Sequence, residues 1–242
     1  MPIGPAWRLM EVAALLPVAV LQGRRLRRTT PVLPEAPGPR EGDVGTGEPL
    51  RLVCLGDSTI AGVGLDDSTL AVTCQLARRL AHGHHVTWRA VGRTGATAAT
   101  ARSELVPLLT DSPADVLVLS VGVNDVLRGR SQRRFVDDVQ GLIEAARARV
   151  GRPLVVLSGL PPVHRFPLLP PVARRVAGHR ARALDAGLAK VAAADAGVVH
   201  HILQFDTDEG MFAADGFHPG PPAHAVWAEQ LAAVISAGTR PA

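Results

Sequence analysis

Apolar residues along this chain fall into short unbroken blocks and longer stretches where they recur every three or four positions. Residues 52–55 and 116–120 (LVCL and VLVLS) have no polar alternation, which predicts strands buried on both faces of a parallel sheet. Residues 86–91, 154–157 and 198–202 predict three more strands. Between them the spacing becomes helical. Val72, Leu76 and Leu80 predict a helix over 67–81, and residues 96–109 a second. Phe135, Val139, Leu142, Ala146 and Val150 give a third, with Ser131 as its N-cap. Residues 172–194 form a long fourth. Pro221 and Pro222 suit the first turn of a last helix carrying Trp227, Leu231 and Val234, with Gly238 past its end. Strands separated by helices imply an α/β fold: a three-layer α/β/α sandwich around a five-stranded parallel sheet in flavodoxin-like order.

This alternation occupies residues 50–238 and reads as one domain. Residues 1–49 read as an apolar helix over 6–21, a basic cluster of Arg24, Arg25, Arg27 and Arg28, and an irregular Pro/Gly-rich linker over 29–49. Glu11 and Pro17 interrupt the apolar helix, and its clean run over 12–21 is only ten residues, too short to span a bilayer. A single Arg8 precedes the run and RRLRR follows it, the reverse of an export signal, so the domain is expected on the cytoplasmic side. Peripheral membrane contact through residues 6–28 and packing on the domain's own surface both remain open.

A chain of 242 residues that is 47% hydrophobic buries one sizeable core with some surplus for a tail. The net charge of +4 and pI near 10.3 suggest nucleic acid only superficially, because the cations are nearly all arginine and tyrosine is absent. The arginine cluster has no interleaved aromatics, so no nucleic-acid partner is expected. Cys54 in a strand and Cys74 in a helix read as reduced core residues. Nothing in the sequence sets an oligomeric state.

Candidate chemistry lies after the strands. Gly56, Asp57 and Ser58 make a turn, and Gly62 and Gly64 delay the next helix, leaving Ser58 at the carboxyl end of a central strand, where open α/β sheets bind ligands. Alone, such a serine is a turn residue. Three further loops face the same rim: residues 92–97, residues 122–125 and residues 215–218. His218 can act as base to the Ser58 hydroxyl, while Asp215 fixes the tautomer. The backbone N–H groups of Ser58 and Gly95 and the Asn124 amide can meet an oxyanion. Glycine at 95 leaves its N–H approachable.

These four blocks, Gly56-Asp57-Ser58-Thr59, Gly95 with Thr97, Gly122-Val123-Asn124-Asp125 and Asp215 to His218, resemble the SGNH (GDSL-type) hydrolase family over about residues 50–237. The resemblance implies Ser58 as nucleophile, Asp215 and His218 completing the triad, and Gly95 and Asn124 in the oxyanion hole. It also implies an esterase, lysophospholipase, thioesterase, carbohydrate deacetylase or acyltransferase. Thr59 stands where leucine is usual. Ala90 stands where many members carry an asparagine, so a hydrogen bond bracing the second block is expected to be missing.

Neither a cofactor nor a metal is expected. His84-His85 and His200-His201 are sequence neighbours that point to opposite faces of a strand, and no cysteine or carboxylate set completes a site. Gly62-Val63-Gly64 lacks a third glycine, and the only lysine, Lys190, is in no Walker motif. Ile60 replaces the second glycine of a G-x-S-x-G elbow. Asp57 and Asp125 read as acceptors that brace their loops.

The segment 159–171, GLPPVHRFPLLPP, has five prolines and five large apolar side chains and reads as a rigid wall at the rim or as a seal on the core. Phe166 and Leu168 from it, with Met211 and Phe212 opposite, are the candidate acyl pocket. Aromatics are only 3% of the chain, too few for the stacked rings of a long sugar site. The leading expectation is therefore a serine hydrolase of small to medium acyl esters, lysophospholipid- or lipase-like, working through an acyl-enzyme on a small-molecule ester. An acyltransferase to an alcohol or sugar acceptor, a carbohydrate deacetylase and a non-catalytic membrane-binding module are the alternatives.

Overall fold

The computed structural model describes residues 5–204, 208 and 210–238, without the side chains of 5–9, 11–13 and 27. Arg8, Glu11 and Val12, on which part of the N-terminal reading rests, therefore have side chains outside the described residues.

The sheet has six strands: β1 (Glu41–Val44), β2 (Glu48–Gly56), β3 (His84–Gly92), β4 (Val116–Ser120), β5 (Leu154–Ser158) and β6 (Val198–His201). Their order is β1-β3-β2-β4-β5-β6. β2 to β6 are parallel and have the flavodoxin-like order expected. The sixth strand corrects the five-strand expectation. β1 lies within the segment read as irregular linker and pairs antiparallel with β3, Gly42 opposite Trp88. β2 also begins earlier than its apolar block, since Glu48 and Pro49 pair with His84 and His85. Both additions lack a long apolar run because they lie at the sheet's edge or its entry, where one face suffices.

Along β2 and β4 alternate residues face opposite layers. Leu55, Leu117 and Leu119 pack with Phe135, Val139, Leu142, Leu184 and Leu188. These come from α6 (Gln132–Val150) and α7 (Pro171–Ala193). Leu52, Cys54, Val116 and Val118 pack on the other face with Leu76, Leu80, Trp227 and Leu231. Those come from α3 (Val72–Leu80) and α8 (Pro221–Gly238). Both cysteines are free and buried, and burial pushes the Cys54 thiol up to about 12. The first helix, α1 (Pro5–Thr29), packs on α7.

Two helices are shorter than their spacing predicts. Over 67–81, the Asp67 side chain accepts from Thr69 N–H and caps a 3-10 turn, Ser68–Leu70. Ala71 is extended, so α3 starts afresh at Val72, whose N–H donates to buried His224 Nδ1 at 3.1 Å. Over 96–109, α4 (Ala98–Thr100) begins at a Thr97 capping box and passes into a π turn, Ala101–Leu105, and a 3-10 turn, Val106–Leu108.

Candidate active site

β2 ends at Gly56, and Ser58 opens a one-turn helix, α2 (Ser58–Ala61), rather than lying in an open turn. Asp57 is its N-cap, with Oδ1 accepting from Thr59 N–H at 3.0 Å. α2 lies directly on the end of β3: a Cβ at Gly92 would stand 2.5 Å from the Ala61 nitrogen, so only glycine lets the helix sit there. Ser58 is thereby held at the carboxyl end of the second of the six strands in chain order, central in the sheet.

The loop after β3 carries Gly95 at φ +78°, a left-handed conformation suited to glycine. The loop after β4 leads into α5 (Val123–Leu127), which carries Asn124 and Asp125. Asn124 Nδ2 donates to the Ala96 carbonyl at 3.1 Å, with a longer contact of 3.5 Å to Asp57 Oδ2. Asp125, fully buried, accepts from Ala98 N–H at 3.1 Å and so ties α5 to α4. Both aspartates are the loop-bracing acceptors expected. Burial pushes the Asp57 carboxyl up to about 6 against the Thr59 hydrogen bonds and the charge of His218. It does the same to Asp125, also to about 6, against the Ala98 N–H.

No asparagine precedes the Gly95 loop, yet the loop is braced from four sides. Glu35 accepts from Thr94, Arg128 Nη2 donates to the Gly95 carbonyl at 2.9 Å, Arg93 pairs with Glu104, and Asn124 holds Ala96. None of the first three partners adjoins the loop in sequence, so they could not be read locally.

His218 lies in a tight loop closed by the Ala213 N–H bond to the His218 carbonyl and the Gly220 N–H bond to the Met211 carbonyl. Its Nδ1 is 2.6 Å from Asp215 Oδ2, while Asp215 Oδ1 accepts from the Phe217 and His218 N–H groups. Burial pushes the Asp215 carboxyl up, but the His218 ring and these two N–H groups outweigh it and hold it below the ordinary value.

Ser58 and His218 line one pocket with Asp57, Thr59, Val123, Pro161, Phe166, Phe212, Phe217, Pro219 and Trp227; its volume is about 360 Å³ including the open mouth. Phe166 stacks edge-to-face on Phe212 and on Phe217, with centroids 5.2 and 5.3 Å apart, and Phe217 does the same on His218. Leu168 and Met211, expected here, do not line the pocket. Leu168 N–H instead donates to the Gly216 carbonyl, and Met211 packs on the α3/α8 side of the sheet. The 159–171 segment serves both expected roles. Leu160, Val163 and Leu169 are buried in the core, and Phe166 joins that core while facing the pocket. Phe217 stands inside the Asp-x-x-His block and was open to detection there. Trp227 carries no local signal of a pocket role, because nothing in the sequence shows that α8 passes beside the pocket.

The paired histidines have protein partners. His200 Nε2 faces Asp185 Oδ1 at 3.0 Å, and His201 Nε2 faces Gln230 Oε1 at 3.0 Å. Among the described residues no three His, Cys, Asp or Glu side chains come together as a metal site would require.

The profile of the GDSL-like lipase/acylhydrolase family matches residues 54–226, which hold all four loops of this site. The chain belongs to this GDSL family. It is similar to Esterase TesA of Pseudomonas aeruginosa, 28% identical over 69% of this chain and 79% of that protein. It is also 28% identical to a GDSL-like esterase of Mycobacterium tuberculosis, over 75% of this chain but only 60% of the relative's length. Among solved structures, a crystal structure of TesA superposes with a TM-score of 0.61 at 24% identity, covering 78% of this chain and 99% of that one. A carbohydrate acetylesterase family member from Sinorhizobium meliloti superposes with a TM-score of 0.59 at 18% identity, covering 78% and 98%; at these identities the likeness is one of fold. As a GDSL family member with esterase relatives, the protein is an ester-hydrolysing enzyme.

Proposed function

We propose that this enzyme hydrolyses small to medium acyl esters through an acyl-enzyme on Ser58. The observation that carries the reading is the convergence of Ser58 and His218 on one pocket while Asp215 Oδ2 holds His218 Nδ1 at 2.6 Å. With its proton at Nδ1, the imidazole turns a lone pair on Nε2 toward the pocket. Ser58 Oγ attacks the ester carbonyl as its proton passes to Nε2. The alcohol leaves with that proton; a water, deprotonated by His218 in turn, attacks the acyl carbonyl, and His218 returns the proton to Ser58 Oγ as the acid leaves.

The oxyanion is met by the Ser58 and Gly95 N–H groups and by Asn124. One Asn124 N–H is committed to Ala96, and the other has only the long Asp57 contact to give up. The acyl chain lies against Phe166, Phe212, Phe217, Pro161 and Trp227, an almost wholly apolar lining that favours acyl groups over sugar rings.

A fluorophosphonate probe tests the nucleophile directly. It should modify Ser58, and Ser58→Ala should lose both labelling and turnover. Esterase activity persisting in Ser58→Ala would overturn the assignment.

A further inference from the structure

Helix α1 lies outside the GDSL match, and the esterase mechanism makes no use of it. Its inward face is plain. Leu15, Ala19, Gln22 and Leu26, spaced to share one stripe, are half-buried. Leu26 packs on the core and Gln22 Oε1 accepts from Ala173 N–H at 2.9 Å, at the start of α7. The opposite face should then be polar, and among the described residues from Met10 to Leu21 it is not. Met10 is 67% exposed and Leu21 64%, and Leu16, Val18 and Val20 are exposed with them. The same outward face then changes character abruptly at Arg24, Arg25 and Arg28, all exposed. From Ala14 to Thr29 the helix contains no acidic residue, and none of these three arginines makes an ion pair among the described residues.

We propose that this face docks the enzyme on an anionic lipid bilayer, the apolar turns entering the acyl boundary and the arginines meeting the headgroup phosphates. Among the described residues no helix is long and apolar enough to cross a membrane, so in the proposed docking α1 would lie along the bilayer surface rather than across it. The order of side chains along the face chooses this occupant over a second copy of the chain. Parallel pairing of two α1 helices would set arginines against arginines, and antiparallel pairing would bury them against apolar turns; both are unfavourable. A bilayer offers an apolar layer and an anionic layer side by side, in the sequence the helix presents. Docking would also hold the pocket near the lipid. Gln22 is bonded to the helix that follows Phe166, and the chain after α1 runs beside α2, Ala36 N–H donating to the Gly62 carbonyl.

Co-sedimentation of the full chain with vesicles tests this. Binding is expected to vesicles of phosphatidylcholine with 30% phosphatidylglycerol and to be weak on pure phosphatidylcholine. Arg24→Glu/Arg25→Glu/Arg28→Glu should lower the partition coefficient about a hundredfold, and 0.5 M salt should also weaken it. Leu16→Glu/Val20→Glu/Leu21→Glu should abolish binding. Both variants change exposed residues away from the pocket, so turnover of a water-soluble ester should be unchanged, which keeps this test separate from that of the esterase reading. Failure of the unaltered protein to bind anionic vesicles would overturn the proposal. So would binding that both variants retain, or self-association that Leu16→Glu/Val20→Glu/Leu21→Glu abolishes without any vesicle binding.

Discussion

The Glu35 carboxylate accepts from both the backbone N–H of Thr94, at 2.9 Å, and the Thr94 hydroxyl, at 2.8 Å, across 59 positions of sequence. The same carboxylate pairs with Arg40 at 3.5 Å, and Arg40 Nη1 donates to the Ala61 carbonyl at 2.8 Å. A strap ahead of the sheet thus touches both the helix that starts at Ser58 and the loop that presents Gly95. With alanine at 90, this connection stands in for the local brace the sequence lacks.

Glu35 is accordingly expected to be a positioning residue. Glu35→Ala should lower kcat about tenfold with KM little changed, since small displacements of oxyanion donors act on the transition state. Glu35→Gln keeps an acceptor for Thr94 and should recover most of that loss. Steady-state kinetics on the two variants check this; a lower melting temperature with kcat intact would reduce Glu35 to a structural role.

Asn124→Ala should reduce kcat by about 10² to 10³ with a small change in KM, the signature of a donor engaged mainly in the transition state. A change confined to KM would move Asn124 to ground-state binding.

The aromatic pocket predicts a chain-length profile. Each methylene it buries contributes at most about 0.8 kcal/mol, so kcat/KM should climb from acetyl toward butyryl or hexanoyl esters and then level off. Phe212→Ala should move that plateau to longer chains. Phe212 is the better probe because Phe166 is buried, and truncation there costs about 3 to 5 kcal/mol of stability. A preference for acetylated sugar that Phe212→Ala leaves unchanged would rule this pocket out.

His224 makes stability depend on pH. Burial depresses its ring from 6.5 to about 3, and its Nδ1 accepts from Val72 N–H. Below pH 6.5 the unfolded chain takes up a proton that the folded protein refuses until about 3, so the His224 contribution is full above that window and drains away as pH falls through it. Asp57 and Asp125, raised to about 6, act in the opposite sense, since the folded protein holds their protons longer. Comparing the protein with His224→Asn isolates the histidine. The variant should be less stable at pH 7.5, and the difference in melting temperature should shrink on acidification to pH 4. A constant difference would refute the linkage.

The parallel strands and their flavodoxin-like order were legible in the sequence because strands buried on both faces need continuous apolar runs, a requirement met locally. The four chemical blocks were legible for a related reason. The first three follow strands within a few residues, so chain order brings Ser58, Gly95 and Asn124 toward one rim, whereas His218 lies well beyond the end of β6 at His201 and reaches the pocket through the packing of its own loop. Tertiary structure decided everything that depends on distant partners. β1 has no apolar run and exists only because β3 offers it an open edge. Trp227 enters the pocket through the packing of α8, while Leu168 does not line it and Met211 packs instead with the α3/α8 side of the sheet. Glu35 and Arg128 reach the Gly95 loop across the fold. A hydrogen bond between residues far apart in sequence leaves no mark on hydrophobic period or motif spacing, so only the folded chain could reveal what holds the site in place.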